Sequence, residues 1–103
     1  MRIWIISAVL MAAALGADTG TVAGTVQRTN GPVASARVVV DSAVDSKYGV
    51  STTTDRDGRF TVSDAPVGAV GVKVYDDNGR ILAQGRATIT HAGERVTLTL
   101  RVP

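Results

Sequence analysis

The stretch TTTDRDGRFTV, residues 52–62, decides the fold of this chain. Three β-branched threonines lead into an acidic turn that ends at Gly58, and Phe60, the one phenylalanine of the chain, opens a second β-branched run. Two short runs of this kind around a polar turn with a residue that tolerates positive φ are typical of a β-hairpin. The stretch therefore predicts two strands joined by a hairpin turn at residues 55–58.

Hydrophobic and polar residues alternate along most of the chain after residue 20, with the period of two that is typical of strands. The last run is the clearest, with Val96, Leu98, Leu100 and Val102 on one face. An earlier run places Ile81, Ala83, Gly85, Ala87 and Ile89 on one face. Between runs lie turn-forming clusters, and Asn78-Gly79 is a strong signal for a short hairpin because both residues tolerate positive φ. Without a helical pattern to make crossovers, the sequence predicts a seven-stranded antiparallel β-sandwich.

Taken in order, these segments resemble the carboxypeptidase regulatory-like domain, a small transthyretin-like β-sandwich. The Asp-x-x-Gly-x-Phe turn of that family is matched by Asp55, Gly58 and Phe60, and its Pro-x-Gly turn by Pro66 and Gly68. The resemblance covers roughly residues 20–102. It implies an all-β Greek-key sandwich in which the phenylalanine packs between the sheets and the aspartate caps its turn. It also implies an accessory or folding module of the kind found beside catalytic, receptor or adhesive domains.

The amino-terminal 17 residues have the pattern of a secretory signal. Arg2 precedes an apolar run, residues 3–15, that is interrupted only by Ser7 and followed by Gly16 and Ala17. This run is shorter than the roughly 20 residues that a membrane-spanning helix needs. We therefore expect residues 1–17 to be removed, leaving a secreted or periplasmic domain, residues 18–103, without a stable membrane anchor. An exported chain without cysteine fits a bacterial envelope protein.

The charge of the expected mature domain is close to neutral. Residues 18–103 contain ten basic and nine acidic side chains, and the two signs are interleaved along the chain. A nucleic-acid surface requires basic residues concentrated on one face. The sequence therefore predicts no nucleic-acid partner.

Few residues of this chain have a pattern that carries chemistry. Asp55 and Asp57 are weak candidates for calcium, because a calcium loop needs further oxygen ligands where Arg59 and Phe60 stand here. We expect the two aspartates to accept backbone hydrogen bonds within the turn instead. A single histidine, His91, cannot build a zinc cluster. The sequence predicts no metal, no cofactor and no catalytic residue.

Two relatives by fold have chemistry that this sequence does not match. Transthyretin-like hydroxyisourate hydrolases use several His and Arg residues and a carboxyl-terminal Tyr-Arg-Gly-Ser, whereas this chain has only His91 and ends Arg101-Val102-Pro103. Pilin-like Cna-B domains join a lysine to an asparagine of the last strand, but the only lysines here are Lys47 and Lys73, and the last run holds no asparagine. A hydrolase is thus the least favoured function.

The remaining alternatives are two kinds of binding module. Exposed tyrosines stack on sugar rings, and Tyr48 and Tyr75 are the candidates for contact with a carbohydrate or another small ligand. A module for protein contacts would instead present an unpaired strand edge. We favour a non-enzymatic domain that contacts another envelope or extracellular protein, with carbohydrate or small-ligand binding as the alternative.

Overall fold

Eight β-strands form the fold in the computed structural model, which describes residues 18–103. The predicted signal peptide, residues 1–17, lies outside the described residues. Between residues 18 and 103 there is no helix long and apolar enough to span a membrane. In chain order the strands are β1 (Thr19–Arg28), β2 (Gly31–Pro32), β3 (Arg37–Ser42), β4 (Gly49–Thr53), β5 (Arg59–Pro66), β6 (Gly68–Tyr75), β7 (Ile81–Ile89) and β8 (Arg95–Arg101).

The strands form two sheets that enclose a common core. The front sheet has the order β4-β3-β6-β7, and all of its pairings are antiparallel. The back sheet is built around β1, which pairs antiparallel with β5 and, near its end, with the two-residue β2. The predicted all-β sandwich is confirmed, and seven of the strands are longer than two residues.

One pairing in the back sheet is parallel, which the alternation did not predict. β8 lies beside β1 and runs in the same direction, from Thr21 opposite Arg95 to Gln27 opposite Arg101. Side chains alternate between faces in both kinds of pairing, so the sequence pattern does not distinguish them. Parallel neighbours need a long connection, and here it is made by the strands from β2 to β7 rather than by a helix.

The turn at residues 55–58 joins two strands that lie in different sheets, so the predicted hairpin is wrong. β4, before the turn, pairs with β3, whereas β5, after it, pairs with β1. The change of sheet occurs at the buried Thr54, whose Oγ1 donates to the carbonyl of Val33 at 2.8 Å and accepts from the amide of Ala36 at 2.9 Å. These bonds hold Thr54 beside the β2–β3 connection while the following turn carries the chain to the back sheet.

Valine side chains fill most of the space between the sheets. Phe60 of β5 is only 4% exposed and adds the one aromatic ring that is buried in this core. Burial of a side chain of this size contributes roughly 1.5–3 kcal/mol. The largest fully buried side chains are Val22, Val26, Val38, Val40, Val70, Val72, Val74 and Ile89.

Gly24 makes room for the Phe60 ring inside the back sheet. The two residues lie opposite each other in the β1–β5 pairing. A Cβ atom at Gly24 would lie 2.9 Å from two atoms of the ring and would overlap the carbonyl oxygen of Leu98. The absence of a side chain at this position is therefore what allows the phenylalanine and β8 to pack closely against β1.

Candidate binding surfaces

The turn at residues 55–58 is closed by the carboxylate of Asp55. Its Oδ1 accepts the amide hydrogens of Asp57 at 2.8 Å and Arg59 at 2.9 Å, and the Gly58 amide donates to the Asp55 carbonyl at 3.0 Å. The bond from the Arg59 amide is the main cause that lowers the pKa of Asp55, and the Asp57 amide and the charges of Arg59 and Arg56 act in the same direction. These are the backbone hydrogen bonds that the sequence predicts for this aspartate.

The same turn occurs a second time, between β6 and β7. Asp76 Oδ1 accepts the amides of Asn78 at 2.8 Å and Arg80 at 3.0 Å, and the Gly79 amide donates to the Asp76 carbonyl at 3.1 Å. Only Gly79 in this connection has positive φ, so it is not the two-residue Asn-Gly turn that the sequence suggests. The two turns share the sequence pattern Asp-x-x-Gly-Arg, which could have predicted the second turn from the first. Both acidic loops thus have a structural role in their own turns.

No group of three or more His, Cys, Asp or Glu side chains between residues 18 and 103 is arranged to hold a metal ion. His91 lies exposed in the connection before β8, with Nδ1 3.2 Å from the carbonyl oxygen of Ala92. In the same connection Glu94 Oε1 accepts from the amide of Thr90 at 2.6 Å and from its hydroxyl at 2.9 Å. Like the two aspartates, this glutamate closes a turn.

The two tyrosines lie at opposite ends of the front sheet. Tyr75 is paired in register with Arg37, while Tyr48 precedes Gly49, which pairs with Asp41. Arg37 and Asp41 are about 13 Å apart along β3 at 3.3 Å per residue. The structure therefore does not bring Tyr48 and Tyr75 together on one surface.

Each tyrosine is also engaged by other parts of the domain. The guanidinium carbon of Arg37 lies 4.9 Å from the centre of the Tyr75 ring, which covers a face of that ring with a cation. Tyr48 packs against the core, and its hydroxyl is the one buried side-chain polar atom between residues 18 and 103 without a hydrogen-bond partner. Burial raises the pKa of Tyr48, and the negative charge of Asp64 raises it further.

The outer face of the front sheet contains a depression of about 580 Å³. Gly71 of β6 forms its floor, because this residue has no side chain and lies between Asp41 on β3 and Arg86 on β7. Lys73 and Gln84 line the adjoining row of the sheet. We call these five residues the Gly71 depression. The sequence alone does not identify this site, because the three strands that form it are separated in sequence.

The second candidate surface is the outer edge of β4. Within the described residues, β4 and β7 form the edges of the front sheet, and β5 and β8 lie on either side of β1 in the back sheet. Three of these edges carry features that discourage pairing with another strand, namely charges, proline or irregular backbone. β8 has Arg95 and Arg101, β7 has Arg86, and β5 has Arg59, Pro66 and positive φ at Asp64.

β4 has none of these protective features. Its five residues, GVSTT, contain no charge and no proline, and its pairing with β3 has no register shift. Four of the five residues are exposed, including Val50 at 37%. β4 is therefore the edge at which an additional strand could pair with the fewest obstacles.

Comparison with known proteins finds similarity of fold. No protein-family model and no curated protein matches the chain. Among solved structures, the dioxygenase domain of a fusion with a carbohydrate-binding protein from Streptomyces sp. SirexAA-E gives a TM-score of 0.63 at 14% identity, over 84% of this chain and 80% of that one. A variant of the major pilin subunit of Bacillus cereus gives a TM-score of 0.62 at 15% identity, over 82% of this chain and 30% of that one. A candidate carbohydrate-binding protein from Pseudomonas aeruginosa gives a TM-score of 0.57 at 15% identity, over 82% of this chain and 90% of that one.

These similarities establish the fold alone, because the identities are low. The chain spans less than a third of the pilin subunit, at 30%, and 46% of a DUF3823 protein from Parabacteroides merdae. The structures with this sandwich are named for an enzymatic domain, a pilin subunit and carbohydrate binding. One fold hosts several functions, so the function of this chain has to be argued from its own surfaces.

Proposed function

We propose that this protein is a non-enzymatic accessory module, of the carboxypeptidase regulatory-like type, that contacts another envelope or extracellular protein by strand addition at β4. The observation that carries the proposal is the unprotected β4 edge. The other three edges have arginines, proline or irregular backbone, whereas β4 is uncharged and regular. Strand addition is a common mode of recognition in which main-chain hydrogen bonds supply affinity.

The backbone of β4 has its free hydrogen-bonding groups on the side away from β3. The Thr54 amide donates to the Ala36 carbonyl at 2.9 Å and therefore points toward the β3 side. Backbone groups in a strand alternate in direction, so those of Thr52 and Val50 also point toward β3 and those of Gly49, Ser51 and Thr53 point outward. These three residues offer both donors and acceptors to an incoming strand.

The partner that fits this edge is an extended segment without charge in its central residues. Ser51 and Thr53 lie on the outer face of the front sheet, and Val50 lies on the inner side. Side chains directly opposite in a sheet contact each other. The added strand would therefore place a polar residue beside Ser51 and an apolar residue beside Val50, which would extend the core.

The decisive variants change the outward amide of Ser51. Ser51→Pro removes that donor and adds a ring on the partner side while leaving the bonds to β3 in place. Ser51→Ala keeps the amide and serves as the matched control. The probe is a photoreactive residue placed at position 53 in each protein, which cross-links partners in the native host. We expect partners to be captured by the protein that is otherwise unchanged and by Ser51→Ala. Capture should be lost with Ser51→Pro.

The contrary result is capture that survives Ser51→Pro in a variant whose denaturation midpoint shows that it is folded. That result would exclude strand addition at β4. If capture is instead lost in a variant whose β7 or β8 edge is changed, the contact lies elsewhere on the sandwich.

The secreted or periplasmic location is part of the same proposal and rests on the signal pattern of residues 1–17. Mass spectrometry of the protein from its native host is expected to find an amino terminus between residues 15 and 19. Recovery of the intact chain from Met1 in the membrane fraction would contradict it.

Carbohydrate binding through the two tyrosines has less support. Tyr48 and Tyr75 are separated along the front sheet, and Arg37 covers a face of the Tyr75 ring. A hydrolase role has less support again, because His91 lies in an exposed connection and does not line the Gly71 depression. Ligand binding by this domain would therefore use a different surface.

A further inference from the structure

We propose that the Gly71 depression binds a sugar acid, that is, a pyranose ring that carries a carboxylate. This site is separate from the β4 edge and does not depend on the strand addition proposed above. The evidence is the arrangement of one acid, one amide and two cations around Gly71, which has no side chain of its own.

The register of the front sheet fixes the dimensions of the depression. Asp41 and Arg86 both lie opposite Gly71, one on each neighbouring strand. Neighbouring strands are about 4.8 Å apart, so the backbones that carry these two side chains are separated by about 10 Å. Lys73 lies two residues along β6 and is flanked by Gln84. The Asp41 carboxylate turns toward Gly71, with Oδ1 2.6 Å from the position that a Cβ atom would take there, so a ligand over Gly71 would contact it directly.

The charged side chains of the depression form no ion pair with one another. Between residues 18 and 103, no salt bridge joins Asp41 to Lys73 or to Arg86. Two cations face one carboxylate, so the site has a formal charge of about +1. A ligand with one negative charge would neutralise it.

The chemistry of the four polar side chains selects the class of ligand. Arg86 can bind a carboxylate with two parallel hydrogen bonds, and Lys73 adds a second positive charge. Asp41 accepts only, so the opposite end of the ligand must donate hydrogen bonds, as hydroxyl groups do. Gln84 both donates and accepts. A sugar acid has its carboxylate at one end of the ring and hydroxyls at the other, which suits Arg86 on β7 and Asp41 on β3, on either side of β6.

Asp41 argues against a simple anion site. A carboxylate in the wall repels a compact dianion such as phosphate and offers it no donor. The volume of about 580 Å³ lies within the usual range of small-ligand pockets, roughly 300–1,000 Å³. Gly71 sets that volume, since a larger residue at this position would fill the depression.

Amide NMR titration of the purified protein tests the proposal, with glucuronate, glucose and inorganic phosphate as probes. Glucuronate is expected to shift the amides of Gly71, Lys73 and Gly85 in a saturable way, and the other two probes are expected to leave them unchanged. Arg86→Gln should weaken glucuronate binding about tenfold or more, because it removes a charge-assisted bidentate contact. Gly71→Val should abolish binding by occupying the floor.

The matched control is Arg101→Gln, which makes the same charge change at the end of β8, outside the depression, and should bind as the unchanged protein does. Saturable shifts with phosphate or with glucose equal to those with glucuronate would overturn the proposal, as would no shift with any probe. A uronate oligomer that binds more tightly than glucuronate would indicate a polysaccharide as the source of the ligand, and equal binding would indicate the free sugar acid.

Discussion

The carboxylate of Asp41 lies directly beside the space that a side chain at Gly71 would occupy. Its Oδ1 atom is 2.6 Å from the position of a Cβ atom at Gly71, and the two residues are opposite each other in the β3–β6 pairing. A side chain at residue 71 and the present position of Asp41 are therefore incompatible. Because a carboxylate at the sheet surface can rotate away, a side chain at residue 71 would alter the Gly71 depression more than the stability of the fold.

Gly71→Ala should therefore keep or raise stability while it displaces the Asp41 carboxylate. Alanine in a strand is favoured over glycine by roughly 0.5–1 kcal/mol, because glycine loses more conformational freedom on folding. Chemical denaturation measures the expected gain. A loss of more than about 1 kcal/mol would show that Asp41 cannot move aside.

Gly24→Ala should have the opposite effect, since its new Cβ atom would meet backbone and a buried ring. The carbonyl oxygen of Leu98 and the ring of Phe60 cannot both withdraw without separating β1 from its neighbours. We expect a loss of about 1–3 kcal/mol, as for overpacked cores. Gly49→Ala is the control, because nothing lies within 4 Å of its Cβ position, and it should keep the denaturation midpoint or raise it slightly.

Phe60→Ala should leave a cavity between the sheets. Truncation of a buried phenylalanine costs about 3–5 kcal/mol, a large part of the 5–15 kcal/mol that is typical of a whole domain. Urea denaturation followed by circular dichroism provides the measurement, with the exposed neighbour Thr61→Ala as control. An unchanged midpoint for Phe60→Ala would mean that the ring is not packed in the core.

Tyr48→Phe should not destabilise the domain and should raise its stability by up to about 1 kcal/mol. The substitution removes a buried hydroxyl that has no partner among residues 18–103, and such groups are unfavourable. The same burial, with Asp64, raises the pKa of Tyr48. A raised folded pKa means that the stability linked to this group is present below about pH 10 and is lost as the pH rises further. Tyr48→Phe should therefore flatten the alkaline fall in the unfolding temperature.

Acid should destabilise the domain through its three turn carboxylates. The pKa of Asp55, Asp76 and Glu94 is lowered mainly by backbone amides that donate to the charged form. For a lowered folded pKa, the linked stability is present above the unfolded value of about 4 and is lost as the pH falls through the folded value. The double variant Asp55→Asn, Asp76→Asn should show a smaller loss of unfolding temperature between pH 5 and pH 2 than the unchanged protein. An equal loss in both proteins would show that other carboxylates govern the acid response.

The alternating runs predicted the sandwich well, because burial of one face per strand leaves a direct mark in the sequence. The sequence indicates much less clearly which strands pair and in which register. The alternation groups Ile81 with Ala83, yet a register shift after Val74 sets Ile81 opposite Tyr75 and leaves it 51% exposed. Such a bulge depends on two strands at once, so one strand alone does not reveal it.

The candidate surfaces were harder to predict than the core for the same reason. Gly71, Asp41 and Arg86 are ordinary residues of three strands, and only the register places them around one depression. The edge at β4 depends on which strands remain unpaired, which in turn depends on the change of sheet at Thr54. The sequence pattern at this turn predicts a hairpin and therefore does not indicate that the chain changes sheet there.

The parallel pairing of β1 with β8 has a consequence for the order in which the domain can form. A chain that emerges amino end first from a ribosome presents β1 long before β8 is available. Until Arg101 has emerged, β1 lacks its parallel neighbour and Leu100 cannot cover the core. Contacts of such long sequence separation form slowly. The topology itself therefore delays completion of the fold until β8 is available.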